Sequence, residues 1–252
     1  MISICAVVPA AGRGSRLGLS VPKILAPIDG THNVWAVLRH VLLAVVPRVH
    51  VIVAPDAASL FETELDGDPE RHRISTSIQP EPKGMGDAIF GAHSVWKCCE
   101  AILVLWGDQV NISEATVRCA VAASSRDCTL TVPLVVLENP YVHYDFDSDG
   151  RLVRILQSRE GDVLEAKGLS DVGLFVLSTK GLWEVWQNYL RCADLGATTG
   201  EVNFLPFLSY LSVEAGWQVR TIPVVDPDEA IGINSFRDLE FSRMRLTRAR
   251  PS

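Results

Sequence analysis

The 252-residue sequence predicts an α/β fold: a mixed, mostly parallel sheet flanked by helices. Two observations carry that prediction. In the first half, short β-branched apolar runs alternate with helical patterns, as expected of parallel strands whose faces are covered by helices. From about residue 128 strands follow one another in succession, which predicts an antiparallel portion.

In chain order, "ICAVV" reads as a strand followed by a helix near 33–46, "VHVIV" by a helix at 56–65, "ISTSI" by a helix at 85–97, and "AILVLW" by a helix at 113–124. The runs "CTLTVPLVV", "YVHYDFD", "RLVRILQ" and "DVGLFVL" read as successive strands. Helices near 179–192 and 201–214, a strand at 217–225 and a last helix near 236–246 complete the chain. No repeat, low-complexity tract or linker marks a boundary, so one domain is expected. Residues 1–127 and 128–235 form its two functional halves, and 236–252 a terminal helix and tail.

Hydrophobic residues make up 48% and charged residues 21% of the chain, the balance of a soluble globule, and the net charge is −7. That charge argues against a non-specific nucleic-acid binder, whose affinity comes from a basic face. The most apolar later stretch, 34–54, is interrupted by Arg39, His40, Pro47, Arg48 and His50, which argues against a membrane span. The six cysteines form no C-x-x-C pair and the histidines show no metal-ligand spacing, so reduced thiols in a cytoplasmic protein are expected.

The chemistry-bearing segment is "VVPAAGRGSRLGLSVPKIL", residues 7–25. A strand leads into a loop with bare backbone at Gly12 and Gly14, a guanidinium at Arg16 and an ammonium at Lys23. Exposed backbone N–H groups cradle phosphate oxygens, and the two cations neutralise their charge. The dinucleotide fingerprint G-x-G-x-x-G fails at Leu17, with no acidic residue ending the next strand, and G-x-x-x-x-G-K-[ST] fails for want of a Gly-Lys pair. What remains resembles the sugar-1-phosphate nucleotidyltransferase family, in which a strand enters "AAG-x-G-[ST]-R-[LM]" and a Pro-Lys follows. Ala10 to Leu17 and Pro22-Lys23 match it position by position. The resemblance extends over nearly the whole chain and, within the family, to the uridyltransferase domain of bacterial N-acetylglucosamine-1-phosphate uridyltransferases.

The resemblance implies the family's Rossmann-like nucleotide-diphospho-sugar transferase fold, with an NTP-binding first half and an acceptor-binding second half. It also implies roles for further residues. In "IQPEPKGMGDA" Gln79 and Gly84 hold the positions that read a pyrimidine edge, which implies UTP or dTTP; read without the family, they are a polar loop at a helix start. In "LVLWGDQV" Gly107 and Asp108 follow an apolar strand, and the family's Asp there ligates Mg²⁺; alone, Gly-Asp is a common turn. In "DEAIGINSFRDL" Asn234 corresponds to the second Mg²⁺ ligand; its other reading is a helix N-cap, a role Ser235 can take instead. The implied catalytic groups are Arg16 and Lys23, with Ala10, Ala11, Gly12 and Gly14 beside the nucleotide.

The acceptor half departs from the family. Where the uridyltransferases carry a Glu, an Asn-Thr pair and aromatic residues after Gly-Glu, this chain has Gln157, Asp171-Val172 and, after Gly200-Glu201, Val202-Asn203. A phosphorylated acceptor other than N-acetylglucosamine 1-phosphate is therefore expected. Gln157, Arg159, Asp171, Gly173, Glu201 and Asn203 are the candidates to hold it, Arg159 on its phosphate. A cytidylyltransferase acting on a polyol, amino-alcohol or phosphonate, and a non-catalytic nucleotide-binding regulator, stay open at this level.

Three other features read as structure. "DFDSDG" begins like a calcium loop, but Leu156 stands where the twelfth-position Glu belongs, so Asp149-Gly150 is expected to be a hairpin turn. Arg243, Arg245, Arg248 and Arg250 read as a solvated tail, and Trp183 and Trp186 as packing.

Overall fold

The computed structural model describes residues 2–12, 18 and 21–249. It contains strands β1 (Ile4–Ala10), β2 (Val49–Val53), β3 (Ile74–Ile78), β4 (Ala101–Leu105) and β5 (Thr129–Glu138). Five more follow: β6 (Val142–Phe146), β7 (Leu152–Gln157), β8 (Lys167–Asp171), β9 (Leu174–Ser178) and β10 (Gln218–Pro223). The helices are α1 (Val34–Leu43), α2 (Ala58–Leu65), α3 (Met85–Gly91), α4 (His93–Trp96), α5 (Glu114–Ala123), α6 (Leu182–Tyr189), α7 (Phe204–Val213) and α8 (Phe236–Ala249).

Eight strands make one mixed sheet in the order β10-β5-β9-β4-β1-β2-β3, with β8 also on β5, and β6 and β7 form a separate hairpin. β1 pairs in parallel with both β2 and β4, and β2 with β3. The chain thus builds outward from one side of β1 and then crosses to its other side. The point where strand order reverses, at the C-terminal ends of β1 and β4, is where open α/β sheets bind ligands. All five residues of β2 and of β4 are buried, so β4 reads as an unbroken apolar run and β2 as one interrupted only by His50.

Alternation along β1 feeds two cores. Ala6 and Val8 pack with Leu38, Phe61 and Val117 on one face, and Val7 with Phe90, Trp186 and Phe207 on the other. Trp186 stacks on Phe90 with ring centroids 4.3 Å apart, in keeping with its reading as packing. Local signals set the helix starts: Asn33 Oδ1 accepts from Ala36 N at 2.8 Å and Ser113 Oγ from Thr116 N at 3.1 Å. The turn between β6 and β7 is the expected hairpin, with Asp147 Oδ1 accepting from the N–H groups of Asp149 and Arg151.

The structure corrects three expectations. The strand read through "DVGLFVL" is two strands. β8 pairs Asp171 with Leu134, while β9 pairs Val176 with Thr131, so Val172 and Gly173 are inserted between them as a bulge. Gly173 has φ +73°, and a Cβ on it would stand 2.9 Å from Trp106 Cδ1, so only glycine fits. The helix expected over 85–97 breaks at Ala92, where Trp96 Nε1 donates to the Ile89 carbonyl at 2.9 Å and takes a group the helix ladder would use. The basic tail is anchored: Arg245 contacts Asp226 at 2.7 Å and Asp228 at 2.8 Å, and Arg243 Nη2 donates to the Pro27 carbonyl at 2.8 Å. Arg250 lies outside the described residues. Among the described residues no helix is long and apolar enough to cross a membrane.

Candidate active site

A cleft of ≈ 380 Å³ opens over the C-terminal ends of β1 and β4. Its walls include Ala10, Ala11, Gly12, Lys23, Gln79, Gly84, Gly107 and Asp108 from the first half. The second half contributes Gln157, Arg159, Asp171, Gly173, Glu201 and Asn234. Residues named from distant parts of the sequence are thus brought to one surface. Gly14 and Arg16 lie outside the described residues.

Lys23 and Asp108 form the centre. The Lys23 Nζ donates to Asp108 Oδ2 at 2.7 Å, with each side chain 19% exposed. Pro22 leads Lys23 into a short 3₁₀ turn whose Ile24 is buried, so the backbone beneath the ammonium is fixed by the core. Asp108 lies just past the end of β4, after Trp106 and Gly107, and its carbonyl accepts from Ile233 N at 3.0 Å, which ties the segment carrying Asn234 to the end of β4. Asn111 Nδ2 adds a second tie to the Ile231 carbonyl at 2.7 Å.

The helix after Asn234 is capped by its neighbour. Asp238 N donates to Ser235 Oγ at 3.3 Å, and Asp238 Oδ2 accepts from Ser235 N at 2.7 Å, a reciprocal box. Asn234 keeps its side chain for the cleft: among the described residues its Nδ2 makes one long bond, to the Gly232 carbonyl at 3.4 Å.

Gln79 is 8% exposed. Its Nε2 donates to the Gly84 carbonyl at 3.0 Å and to Asp87 Oδ2 at 2.8 Å. A carbonyl and a carboxylate only accept, so the amide has one orientation, and Oε1 is the group left for the cleft. The atom this side chain offers the cleft is therefore an acceptor.

At the other end, Gln157 and Ser170 are each 5% exposed and line the cleft. Arg159 is not a free cation: Nη2 donates to Asn203 Oδ1 at 2.9 Å, with Glu160 at 3.3 Å and Glu201 at 3.7 Å. Asn203 stands behind Arg159 and does not itself line the cleft. Burial raises the Asp171 carboxyl above its usual range, opposed by the Gly173 N–H at 2.7 Å and the neighbouring Tyr144 hydroxyl. Val172, beside it, is fully buried in the core. Hydrogen bonds from Thr198, Thr199 and Asn203 outweigh burial at Glu160 and hold its carboxyl down near about 2.

The oxygens available at the Asp108 end suit a hard divalent cation. Asp108 Oδ2 is taken by Lys23, and Oδ1 faces Gly232, where a Cβ would stand 3.3 Å from it. Glycine keeps that space open. Among the described residues no three His, Cys, Asp or Glu side chains cluster as a metal site. The donor set here is instead one carboxylate with amides. Sequence reading missed Gln109, Ser170, Trp106 and Gly232 on the walls. Only Gln109, adjacent to Asp108, carried a local signal.

The sheet thus reverses its strand order over a Lys-Asp pair at the ends of β1 and β4. Residues 6–164 match the MobA-like NTP transferase domain, and the chain belongs to that family. It is similar to Bifunctional protein GlmU of Burkholderia orbicola, 27% identical over 91% of this chain and 49% of the relative. The GlmU of Buchnera aphidicola is 25% identical over 91% of this chain and 48% of the relative. That of Geobacter metallireducens is 25% identical over 98% and 52%. The chain spans about half the length of these curated relatives. Its fold is also that of a nucleotidyl transferase from Methanothermobacter thermautotroptrophicus, with a TM-score of 0.67 at 22% identity over 98% of this chain and 99% of the other.

Proposed function

We propose that the protein transfers a nucleoside monophosphate from UTP or dTTP to a small phosphorylated acceptor and releases pyrophosphate. The observation that carries this reading is the continuity of the cleft, from Gln79 past Lys23 and Asp108 to Gln157 and Asp171. One substrate binds on each side of a single ammonium.

Gln79 Oε1 accepts from the N3–H of uracil or thymine, a donor that cytosine lacks, which favours UTP or dTTP over CTP. The Gly12 and Gly14 backbone and Arg16 hold the departing pyrophosphate. Lys23 bridges the α-phosphate and the acceptor phosphate, bringing the attacking oxygen into line while neutralising both. Asp108 and Asn234 are the residues to hold Mg²⁺, which when bound supplies charge neutralisation on the triphosphate. No covalent intermediate is required, since the acceptor phosphate is itself the nucleophile.

On the acceptor side, Gln157 and Asp171 stand where the related uridyltransferases carry Glu and Asn. An unpaired buried polar group costs about 1–3 kcal/mol, so two such mismatches disfavour N-acetylglucosamine 1-phosphate by roughly a hundredfold in kcat/KM. The test is pyrophosphate release from UTP, dTTP and CTP against a panel of sugar 1-phosphates and non-sugar phosphates. Release with UTP or dTTP and an acceptor other than N-acetylglucosamine 1-phosphate is expected. A clear preference for CTP would move the protein to the cytidylyltransferases.

A further inference from the structure

We propose that Gln109 Oε1 is a third protein oxygen of the cation site, beside Asp108 Oδ1 and Asn234; this rests on the reading of Asp108 as a metal ligand. Gln109 is 2% exposed yet lines the cleft. Its Nε2 donates to the Glu229 carbonyl at 2.6 Å, and a carbonyl only accepts, so the amide cannot be turned round. Oε1 is then the atom turned toward Gly232, which lines the same cleft.

The second observation is where Oε1 points. A Cβ on Gly232 would stand 2.7 Å from Gln109 Oε1 and 3.3 Å from Asp108 Oδ1. Two oxygens from adjacent residues therefore converge on one small space that only a glycine leaves empty. Lys23 occupies the other oxygen of Asp108 and so holds the carboxylate with Oδ1 toward that space. The tie from Ile233 N to the Asp108 carbonyl at 3.0 Å keeps the facing segment at a fixed separation. A carboxylate oxygen and amide oxygens are donors of the kind Mg²⁺ and Mn²⁺ prefer, and a single negative charge keeps the site weak until triphosphate oxygens join it.

Gln109 also fastens β4 to the 226–234 segment, so the test must separate ligation from fastening. Mn²⁺ alone is titrated into the full chain and the free ion read by electron paramagnetic resonance, for wild type, Gln109→Leu, Gln109→Glu and Asp108→Ala. Gln109→Leu is expected to weaken Mn²⁺ about tenfold. Gln109→Glu, which keeps an oxygen and loses the N–H, is expected to bind at least as tightly as wild type. If Leu and Glu weaken binding alike, the side chain is only a fastener and the proposal is overturned. It is equally overturned if Gln109→Leu binds like wild type. If Asp108→Ala binds like wild type, the reading of the metal site itself falls. Should Gln109→Leu fail to fold, Gly232→Ala puts a methyl into the same space: a comparable weakening is expected, and unchanged affinity contradicts the proposal.

Discussion

Lys23 Nζ lies 2.7 Å from Asp108 Oδ2, across 85 residues of sequence, so the loop after β1 and the end of β4 meet in one ion pair. The same carboxylate turns its other oxygen toward Gly232. One side chain thus faces the ammonium proposed to hold phosphate and the space proposed to hold a cation.

Lys23→Ala should lower the rate of pyrophosphate release by at least about a hundredfold, the scale on which single charge-stabilising groups act in transition states. The pair is partly exposed, so its loss should shift the melting temperature by only a few degrees. Steady-state kinetics and a thermal melt on one preparation check both halves, and a variant within threefold of wild-type rate would remove Lys23 from the chemistry.

Base choice should depend on Asp87 as well as on Gln79, because Asp87 and the Gly84 carbonyl together fix the Gln79 amide. Gln79→Leu should remove most of the preference for UTP over CTP, and Asp87→Ala should reduce it several-fold while leaving the fold intact. Competition of the two nucleotides in the transfer assay measures it; a preference unchanged in both variants contradicts the assignment.

Asp171, proposed to face the acceptor, should carry a cost in stability. Its carboxyl is buried and driven above the usual range, so Asp171→Asn, which keeps the shape and removes the charge, should raise the melting temperature near neutral pH and reduce turnover with the true acceptor. A melting temperature that falls by several degrees would show that the charge is well compensated.

Much of this was legible in sequence, and what was not has a common cause. β4 announces itself because a strand covered on both faces is apolar throughout, and β2 does so with His50 as its one polar residue. The residues of the nucleotide side lie on contiguous motifs, and so they stand out one by one. The Val172-Gly173 bulge does not, because it exists only where the strand, already paired with β5, shifts register and enters between β5 and β4, which are remote in sequence. The break at Ala92 depends likewise on an indole reaching back to Ile89. Gln109 and Gly232 are 123 positions apart, and nothing local to either discloses that they share a space.

Stability should fall on mild acidification through His50. Burial lowers its pKa to about 4, and its two ring nitrogens lie 2.8 Å and 2.9 Å from Ser75 Oγ and Ser77 Oγ. An unfolded His takes up a proton below about pH 6.5. The folded protein does not until about pH 4, so the unfolded state binds more protons in that window and stability declines as pH drops through it. The contribution is at most about 3 kcal/mol. Chemical denaturation of wild type and His50→Gln at pH 7 and pH 5 checks it: the wild type should lose more stability than the variant, and equal losses would exclude His50 as the source.

The most direct measurement is calorimetric titration of UTP and CTP, each with Mg²⁺ and without acceptor, into the wild-type protein. UTP should bind saturably and at least about tenfold more tightly than CTP, whose N3 carries no hydrogen and leaves the Gln79 oxygen unpaired. Saturable binding of CTP as tight as that of UTP, or no binding of UTP at all, would contradict the account.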